Sequence, residues 1–463
     1  MKSLASIVLC AGKGTRMKSA RAKVLHEVLG HPLGTWSIRR ALEIGASPVV
    51  AVVGHQSEDV EKVFAADLGE ASQKVRFALQ EEQLGTAHAV LCGRAGLGKF
   101  SGEILILYGD TPLVRRETLT ALVKAKRGSR SPVALVTMVP PDPKGYGRIV
   151  RNDGGKIIAI VEHKDCTIQQ QGIDEVNAGL YLVDSDFLWK ALRSVGHKNA
   201  QREFYLTDLV ERAFEAGLPA ATVCAPVEEV AGVNDRVELA RATAVLRQRI
   251  NEAHMRAGVT LEDPATTTIE EQVRIGVDTR IAAGCALSGA TKVGRDVRIG
   301  LGCVVHSSTI GDGVQIKPYS SMDDAKVGRG SLIGPYARLR PGTDLAEGVH
   351  VGNFVETKKA KIGKGSKANH LTYLGDCEIG AGVNVGAGTI TCNYDGVNKH
   401  KTVIGDRAFV GSDSQFVAPV TIGAGAYIGS GSTITEDIPP DSLAIARARQ
   451  VTKPGYMKKK REG

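Results

Sequence analysis

Lys292-Val293-Gly294-Arg295-Asp296-Val297-Arg298-Ile299-Gly300-Leu301-Gly302-Cys303-Val304-Val305 carries an aliphatic residue at 293, 299 and 305, six positions apart, with glycine directly after the first two. The same beat fills the chain from Val273 to Thr435. Ile275, Ile281 and Leu287 precede the stretch, and Ile310, Ile316, Met322, Val327, Ile333, Leu339, Leu345 and Val351 follow it. Ile362, Leu374, Ile379, Val385 and Thr391 keep the frame, which resumes at Ile404, Val410, Phe416, Ile422, Ile428 and Ile434. The step shortens to five between Val305 and Ile310, Met322 and Val327, Thr357 and Ile362, and Leu374 and Ile379, each time after a multiple of three repeats. The unit is therefore three hexapeptides long, enough to close a three-sided coil with one aliphatic inward per side and small residues at the corners. That pattern predicts a parallel β-helix. A sandwich of hairpins would instead show two-residue alternation and irregularly spaced turn dipeptides.

Working outward, 28 of the 54 glycines fall between residues 263 and 438, against 24 in the longer stretch before, which sets a composition boundary near residue 260. Just upstream, Val237, Leu239, Ala242, Leu246, Ile250 and Ala253 are spaced for one face of a helix running from Asn234 to about Met255. The expected organisation is a first domain over 1–233, a linker helix over 234–258 and the β-helix with a basic tail over 259–463. A chain of 463 residues is too long for one core and suits such a division.

In the first domain, apolar runs at Leu4 to Leu9, Val49 to Val53, Ile104 to Leu107 and Val133 to Val139 alternate with helical spacing such as Trp36 to Ile44. This reads as an α/β doubly wound (Rossmann-like) parallel sheet, which binds ligands beyond the carboxyl ends of its strands. After the first run, Cys10-Ala11-Gly12-Lys13-Gly14-Thr15-Arg16-Met17 makes a glycine-rich basic turn where backbone N–H groups and cations suit a nucleotide phosphate. It lacks the third glycine of the dinucleotide fingerprint and the Gly-Lys-Ser/Thr ending of a P-loop. Tyr108-Gly109-Asp110 ends another strand and puts a carboxylate where it can hold Mg²⁺ on a triphosphate, or merely cap a loop.

Taken together, Leu9 to Met17 with Lys23-Val24-Leu25, Gln80, Gly85-Thr86, Tyr108-Gly109-Asp110, Gly145-Tyr146-Gly147-Arg148, Val161 to Asp165, Asn177-Ala178-Gly179 and Gly232-Val233-Asn234 resemble the signature of sugar-nucleotide pyrophosphorylases. Ala22 departs from that pattern, which has proline before the lysine.

The β-helix adds motifs of its own. Its beat is interrupted at Cys392-Asn393-Tyr394-Asp395-Gly396-Val397-Asn398-Lys399-His400-Lys401, one loop on a regular coil, where a repeat protein carries function. Lys367 to Asp376 sets His370 where the repeat expects small residues, and spacing alone leaves it either a structural histidine or a base. Zinc ligation is not expected, since β-helical carbonic anhydrases use three His with two close in sequence, whereas His306, His350 and His370 are widely spaced.

With Arg338 to Gly342, Gly352 to Glu356, Lys358-Lys359, His370 to Tyr373 and Asn393 to Gly396, the chain resembles the bifunctional enzymes that make UDP-N-acetylglucosamine. The resemblance implies acetylation of glucosamine-1-phosphate by acetyl-CoA, then uridylyl transfer from UTP to N-acetylglucosamine-1-phosphate, on a left-handed β-helix assembled as a homotrimer. It implies Arg16 and Lys23 as catalytic cations, with Mg²⁺ on Asp110 and Asn234. Leu9, Cys10, Ala11, Gly12, Tyr108 and Gly109 would line the nucleotide site. Gln80, Gly85 and Thr86 would read the uracil, and Gly147, Glu162 and Asn177 the sugar. For acetyl transfer it implies His370 as base, with Glu356 orienting it or the amine. Arg340, Lys358, Tyr373 and Asn384 would hold the sugar phosphate, Asn393 and Tyr394 would close the site, and Ala387, Ser412, Ser430 and Arg447 would contact acetyl-CoA.

Two other readings stay open: a single-activity pyrophosphorylase whose β-helix is only structural, and a nucleotide sensor. Net charge is +9, with lysines clustered at Lys358, Lys359, Lys361, Lys364 and Lys367 and in the tail Lys458-Lys459-Lys460-Arg461. Only 5% aromatic residues and no stacking motif accompany the charge, so a phosphorylated ligand is expected for the inner cluster rather than nucleic acid. The tail reads as a solvated, frayed terminus. Eight cysteines without Cys-x-x-Cys spacing fit a reducing cytoplasm. The short apolar run after Lys2 reads as a first strand rather than a signal peptide, and no run is long enough to span a membrane.

Overall fold

The computed structural model describes residues 2–12, 14–194, 196, 199–200 and 203–462. Lys13 of the glycine-rich turn lies outside the described residues. The chain divides into two compact units, Met1–Leu246 and Arg247–Gly463. The division falls within the helix Arg236–Arg256.

The first unit is built on a mixed sheet in the order 221–224, 133–138, 176–184, 103–108, 4–9, 49–53 and 75–79, with 148–151 and 157–161 as an attached hairpin. Leu4–Leu9 pairs in parallel with both Val49–Val53 and Glu103–Tyr108. Side chains of a strand alternate between faces, and both faces here are covered. Val8 and Cys10 enter one apolar layer with Ile38, Phe64 and Leu119, while Ala5 and Ile7 enter the other with Val90 and Leu209. That double cover makes the strands read as continuous apolar runs. The expectation of an all-parallel sheet needs one correction. Val176–Asp184 runs antiparallel to both of its neighbours. It enters the sheet after the hairpin Arg148–Arg151 and Ile157–Val161, and the connection from that hairpin carries only the one-turn helix Ile168–Gln171 and a 3₁₀ turn, short of the crossover helix usual before a parallel strand.

In the second unit most short strands pair with the third one after them, and two whole coils run as the single strands His350–Ile362 and Lys367–Ile379, which pair with each other; this is the signature of three faces per coil. One inward column follows the pairs Ile281 with Ile299, Ile299 with Ile316, Ile316 with Ile333 and Ile333 with Val351. It continues through Ala368, Val385, Val410 and Ile428. These residues belong to one continuous apolar core, and their burial is the main stabilisation of a fold whose coils touch only their neighbours. The break in the beat leaves that core in register: Ile379 pairs with Ile404, Thr391 with Phe416 and Cys392 with Val417, so residues 393–401 bulge outward.

Candidate active sites

In the first unit the expected nucleotide residues gather at the carboxyl ends of the parallel strands. Asp110 follows Glu103–Tyr108, and its main-chain oxygen accepts from Val233 N at 2.8 Å, which draws Asn234 alongside. Lys23 Nζ contacts Asp110 Oδ2 and lies 3.3 Å from Asn234 Oδ1, which also accepts from Arg16 Nη2 at 2.8 Å. Asn234 N in turn donates to Glu238 Oε2 at 2.6 Å, fixing the asparagine at the start of its helix. Two cations therefore converge on two oxygen donors.

Gly14 has φ 61°, and a Cβ on it would sit 2.4 Å from Lys23 Cβ, so the turn closes over Lys23 only with glycine there. Beneath the turn, burial and the Asp110 carboxylate push the Cys10 thiol far up, so it packs as a neutral small hydrophobe.

Leu9, Ala11, Gly12, Gln80, Gly85 and Thr86 line a pocket of about 320 Å³ beside Lys23 and Asp110. The Gln80 amide nitrogen donates to Gly85 O at 3.3 Å and reaches His88 Nδ1 at 3.1 Å. Both of its hydrogens are thereby committed and Oε1 remains as an acceptor. An adjoining cleft of about 580 Å³ is lined by Gly147, Glu162, Asn177, Tyr108 and Gly179. Asn177 Nδ2 donates to the Tyr181 hydroxyl at 2.6 Å, and its Oδ1 accepts from Gly179 N at 2.9 Å. Burial, with Asp165, Asp208 and Glu203 nearby, raises the Glu162 carboxyl above the usual range. Burial likewise raises Tyr108, assisted by Glu162 and Asp110. Gly109 packs against Cys10, where a Cβ would lie 2.5 Å from Sγ, so it serves the close approach of two strand ends.

In the second unit, His370 pairs in register with Asn353 one coil earlier, and its Nδ1 lies 2.9 Å from Asn353 Oδ1. The amide oxygen can only accept, so Nδ1 is the donor of this bond, and a neutral ring so held has its lone pair on Nε2. Glu356 does not orient His370, contrary to one of the two options expected for it. Its carboxylate holds Arg340 at 2.7 Å and Arg338 at 3.8 Å, because Arg338, Glu356 and Tyr373 stack in one outward column. Lys358 lies beside Lys399 of the inserted loop, which holds its ammonium below the usual range. Two adjacent cations invite an anion between them.

The loop is anchored by Asn393 Nδ2 to Asp376 Oδ2. Asp395 accepts from Val397 N and Asn398 N at 2.8 and 2.6 Å and pairs with His400 Nε2 at 2.7 Å. The Asn398 N–H first, then His400, pull the Asp395 carboxyl down to about 2. Tyr394 is exposed, its hydroxyl donating to Gly396 O at 2.6 Å.

The expected acetyl-CoA residues fall on one corner of successive coils. Gly388 N donates to Leu371 O, Asp413 N to Ala387 O and Gly431 N to Ser412 O, so His370, Ala387, Ser412 and Ser430 follow one another down that corner, with Arg447 next to Gly431. Above His370 the same corner is bulky: Leu301, Tyr319, Tyr336, Phe354 and Leu371 are 41% to 61% exposed, and the three rings stack at 5.3 and 5.4 Å. Below it the corner carries the shorter residues Gly388, Asp413 and Gly431. Asn384 lies on the adjoining face, directly before Phe409 and Tyr427 in register.

Residues 6–150 match the model for the MobA-like NTP transferase domain, 269–362 that for a GMPPB C-terminal domain, and 401–436 that for the bacterial transferase hexapeptide. "Bifunctional protein GlmU" of Anaeromyxobacter sp. (strain Fw109-5) is 57% identical over 99% of this chain and 93% of its own length. The protein of that name from Geotalea uraniireducens is 53% identical over the whole of both chains, and that from Geobacter sulfurreducens 49% identical, again over the whole of both.

The chain belongs to the GlmU family. As a member of that family it is a bifunctional enzyme of UDP-N-acetylglucosamine biosynthesis, a pyrophosphorylase that also acetylates glucosamine-1-phosphate, with a left-handed parallel β-helix as its second domain. The readings as a sensor or as a single-activity enzyme with an idle β-helix are set aside. Nucleotidyl transfer in the family needs a divalent metal, and acetyl-CoA is the co-substrate of the second reaction. Among the described residues no three His, Cys, Asp or Glu side chains converge on a common point. The pair Asp110 Oδ2 and Asn234 Oδ1 nonetheless fits a small hard cation, which takes one or two protein oxygens and completes its shell with phosphates. No helix among the described residues is long and apolar enough to cross a membrane.

Several residues beside the candidate sites carry no sequence signal of their own. Gln83 donates to Ala11 O at 2.5 Å in the pocket beside Lys23, Asn353 bonds His370, and Lys399 confronts Lys358. Gln83 neighbours Gln80, and Asn353 and Lys399 lie in motifs already singled out, but their partners are visible only once the chain is folded.

Proposed function

We propose that the first unit transfers uridylyl from UTP to N-acetylglucosamine-1-phosphate with Mg²⁺ held by Asp110 and Asn234. The observation that carries this is the convergence of Lys23, Arg16, Asp110 and Asn234 at the strand ends. Such transfer needs positioning and charge neutralisation more than covalent chemistry. Bound there, Mg²⁺ would neutralise charge on the nucleotide phosphates. Lys23 and Arg16 would bind the departing pyrophosphate and align the attacking sugar phosphate on the α-phosphorus. Gln80 Oε1 would accept from the uracil N3–H, a donor that cytosine lacks, while Gly85 and Thr86 close the base pocket. Gly147, Glu162 and Asn177 would hold the sugar.

On the β-helix, His370 Nε2 would take a proton from the glucosamine amine as its nitrogen attacks the thioester carbonyl and CoA thiolate leaves. Lys358, Arg340, Tyr373 and Asn384 would bind the sugar phosphate, with Lys399 of the loop completing its charge. Acetyl-CoA would lie along the small-residue corner at Ala387, Ser412, Ser430 and Arg447, with Asn393 and Tyr394 closing over it. The exposed ladder of Tyr319, Tyr336 and Phe354 supports self-association, and we read the assembly as a homotrimer that buries it. A cytoplasmic enzyme without nucleic-acid partners completes the reading.

The test is a mass-resolved product assay with glucosamine-1-phosphate, acetyl-CoA, UTP and Mg²⁺. UDP-N-acetylglucosamine, CoA and pyrophosphate should form together and require the metal only for the uridylyl step. Metal-dependent release of CoA would overturn the division of labour.

A further inference from the structure

We propose that Gln56 is a positioning residue for uridylyl transfer, a side-chain clamp that sets the loop presenting Lys23. The proposal rests on the role read for Lys23 above. Gln56 follows the strand Val49–Val53 and immediately precedes the helix Ser57–Leu68, with φ 57° and ψ 40°. A non-glycine residue held in that left-handed region invites a reason. Its side chain makes two bonds to one short segment: Oε1 accepts from Ala22 N at 2.7 Å, and Nε2 donates to Ala20 O at 3.0 Å. Ser19, Ala20 and Arg21 are exposed, and the segment's other bonds are local ones, Arg21 N to Ser19 Oγ at 3.1 Å and Arg21 Nη2 to Glu27 Oε1 at 3.4 Å.

What the clamp fixes is Ala22, at φ −55° and ψ 140°, directly before the turn Lys23–Leu25. That φ is the one a proline ring imposes, and the ψ is that of the polyproline region; proline is the residue the pyrophosphorylase resemblance expects at this position. Alanine reaches the same conformation but does not stay there unaided, because its unfolded and loop ensembles are wider. Alanine also has an N–H that proline lacks, and Gln56 uses that hydrogen. From Ala22 the turn is set by Leu25 N to Ala22 O at 3.0 Å and His26 N to Lys23 O at 3.1 Å, which leaves Lys23 aimed at Asp110 and Asn234. The same loop braces the other end of the glycine-rich turn, where a Cβ on Gly54 would lie 2.9 Å from Ala11 O. Residues 54–56 thus flank both ends of the segment 11–22, which carries Arg16 and leads directly into Lys23.

Gln56→Gly is the direct test, because glycine suits the left-handed backbone and removes only the clamp. Uridylyl transfer should slow about tenfold, mainly in kcat, for the loss of two hydrogen bonds that position a charged group. Acetyl transfer by the same protein should be unchanged. Adding Ala22→Pro should restore most of the rate, since proline holds φ without an acceptor. Should Gln56→Gly fold poorly, Gln56→Asn, which tolerates the same backbone but is too short for both bonds, replaces it. Wild-type rates in the clamp variant, or no recovery with Ala22→Pro while thermal transitions stay at wild-type values, would overturn the proposal. Lys23→Ala, assayed in parallel, separates the two readings: if it leaves uridylyl transfer intact, the Lys23 role fails, whatever Gln56 does.

Discussion

The two units solve opposite problems. The first has a varied sequence, and its site is assembled from strand ends and loops far apart in the chain: Arg16 and Lys23 meet Asn234 across more than two hundred residues. The second repeats one short unit, and the base and loop proposed for its site stand where the repeat is broken, at His370 and in the loop 392–401. In the first, the fold brings unlike segments together; in the second, it holds like segments apart by one coil, so that Asn353 and His370 meet in register. Chemistry is therefore found by motif in one and by departure from pattern in the other.

The largest effect that sharpens this contrast is Asp110→Ala. It should abolish UDP-sugar formation while CoA release continues at the wild-type rate, measured by separate assays of the two half-reactions. His370→Ala should slow CoA release by about 10²- to 10⁴-fold, the usual contribution of a general base, and leave uridylyl transfer unaffected. Full acetylation in that variant would make His370 structural and move the search for the base to Glu356 or a bound water. Phe416→Ala opens a cavity in the solenoid core and should cost about 3 to 5 kcal/mol there. Thermal unfolding followed alongside both activities should then show acetyl transfer failing first.

The smallest expected effect belongs to Glu162→Gln. Burial raises the Glu162 carboxyl, so the folded state binds more protons than the unfolded state between the usual carboxylate range and the raised value. Stability falls as pH rises through that window. The glutamine variant should lose this slope and melt slightly higher than wild type at neutral pH, while binding sugar less well. A wild-type slope in the variant would reassign the titration.

Much of this was legible in the sequence. The hexapeptide beat gives the β-helix because an inward side chain once per face is a local requirement that every coil must meet. The loop at 392–401 stood out for the same reason. Val176–Asp184 was harder: only its Asn177-Ala178-Gly179 was singled out, and strand direction depends on the connection rather than on composition. Asn353, Lys399 and Gln56 were illegible as site members because their meaning lies in a partner, respectively His370, Lys358 and the Ala22 N–H, that only the folded chain supplies. Glu356 illustrates the converse: its motif was plain, but its partners Arg340 and Arg338 were set by stacking of adjacent coils.

The central claim is that two independent sites act in sequence on one chain. Asp110→Ala and His370→Ala proteins, each supplied with glucosamine-1-phosphate, acetyl-CoA, UTP and Mg²⁺, should fail to make UDP-N-acetylglucosamine efficiently on their own. Mixed, they should make it, because N-acetylglucosamine-1-phosphate released by the first is consumed by the second. A mixture as inactive as its components, with each variant still folded and assembled, would contradict the account.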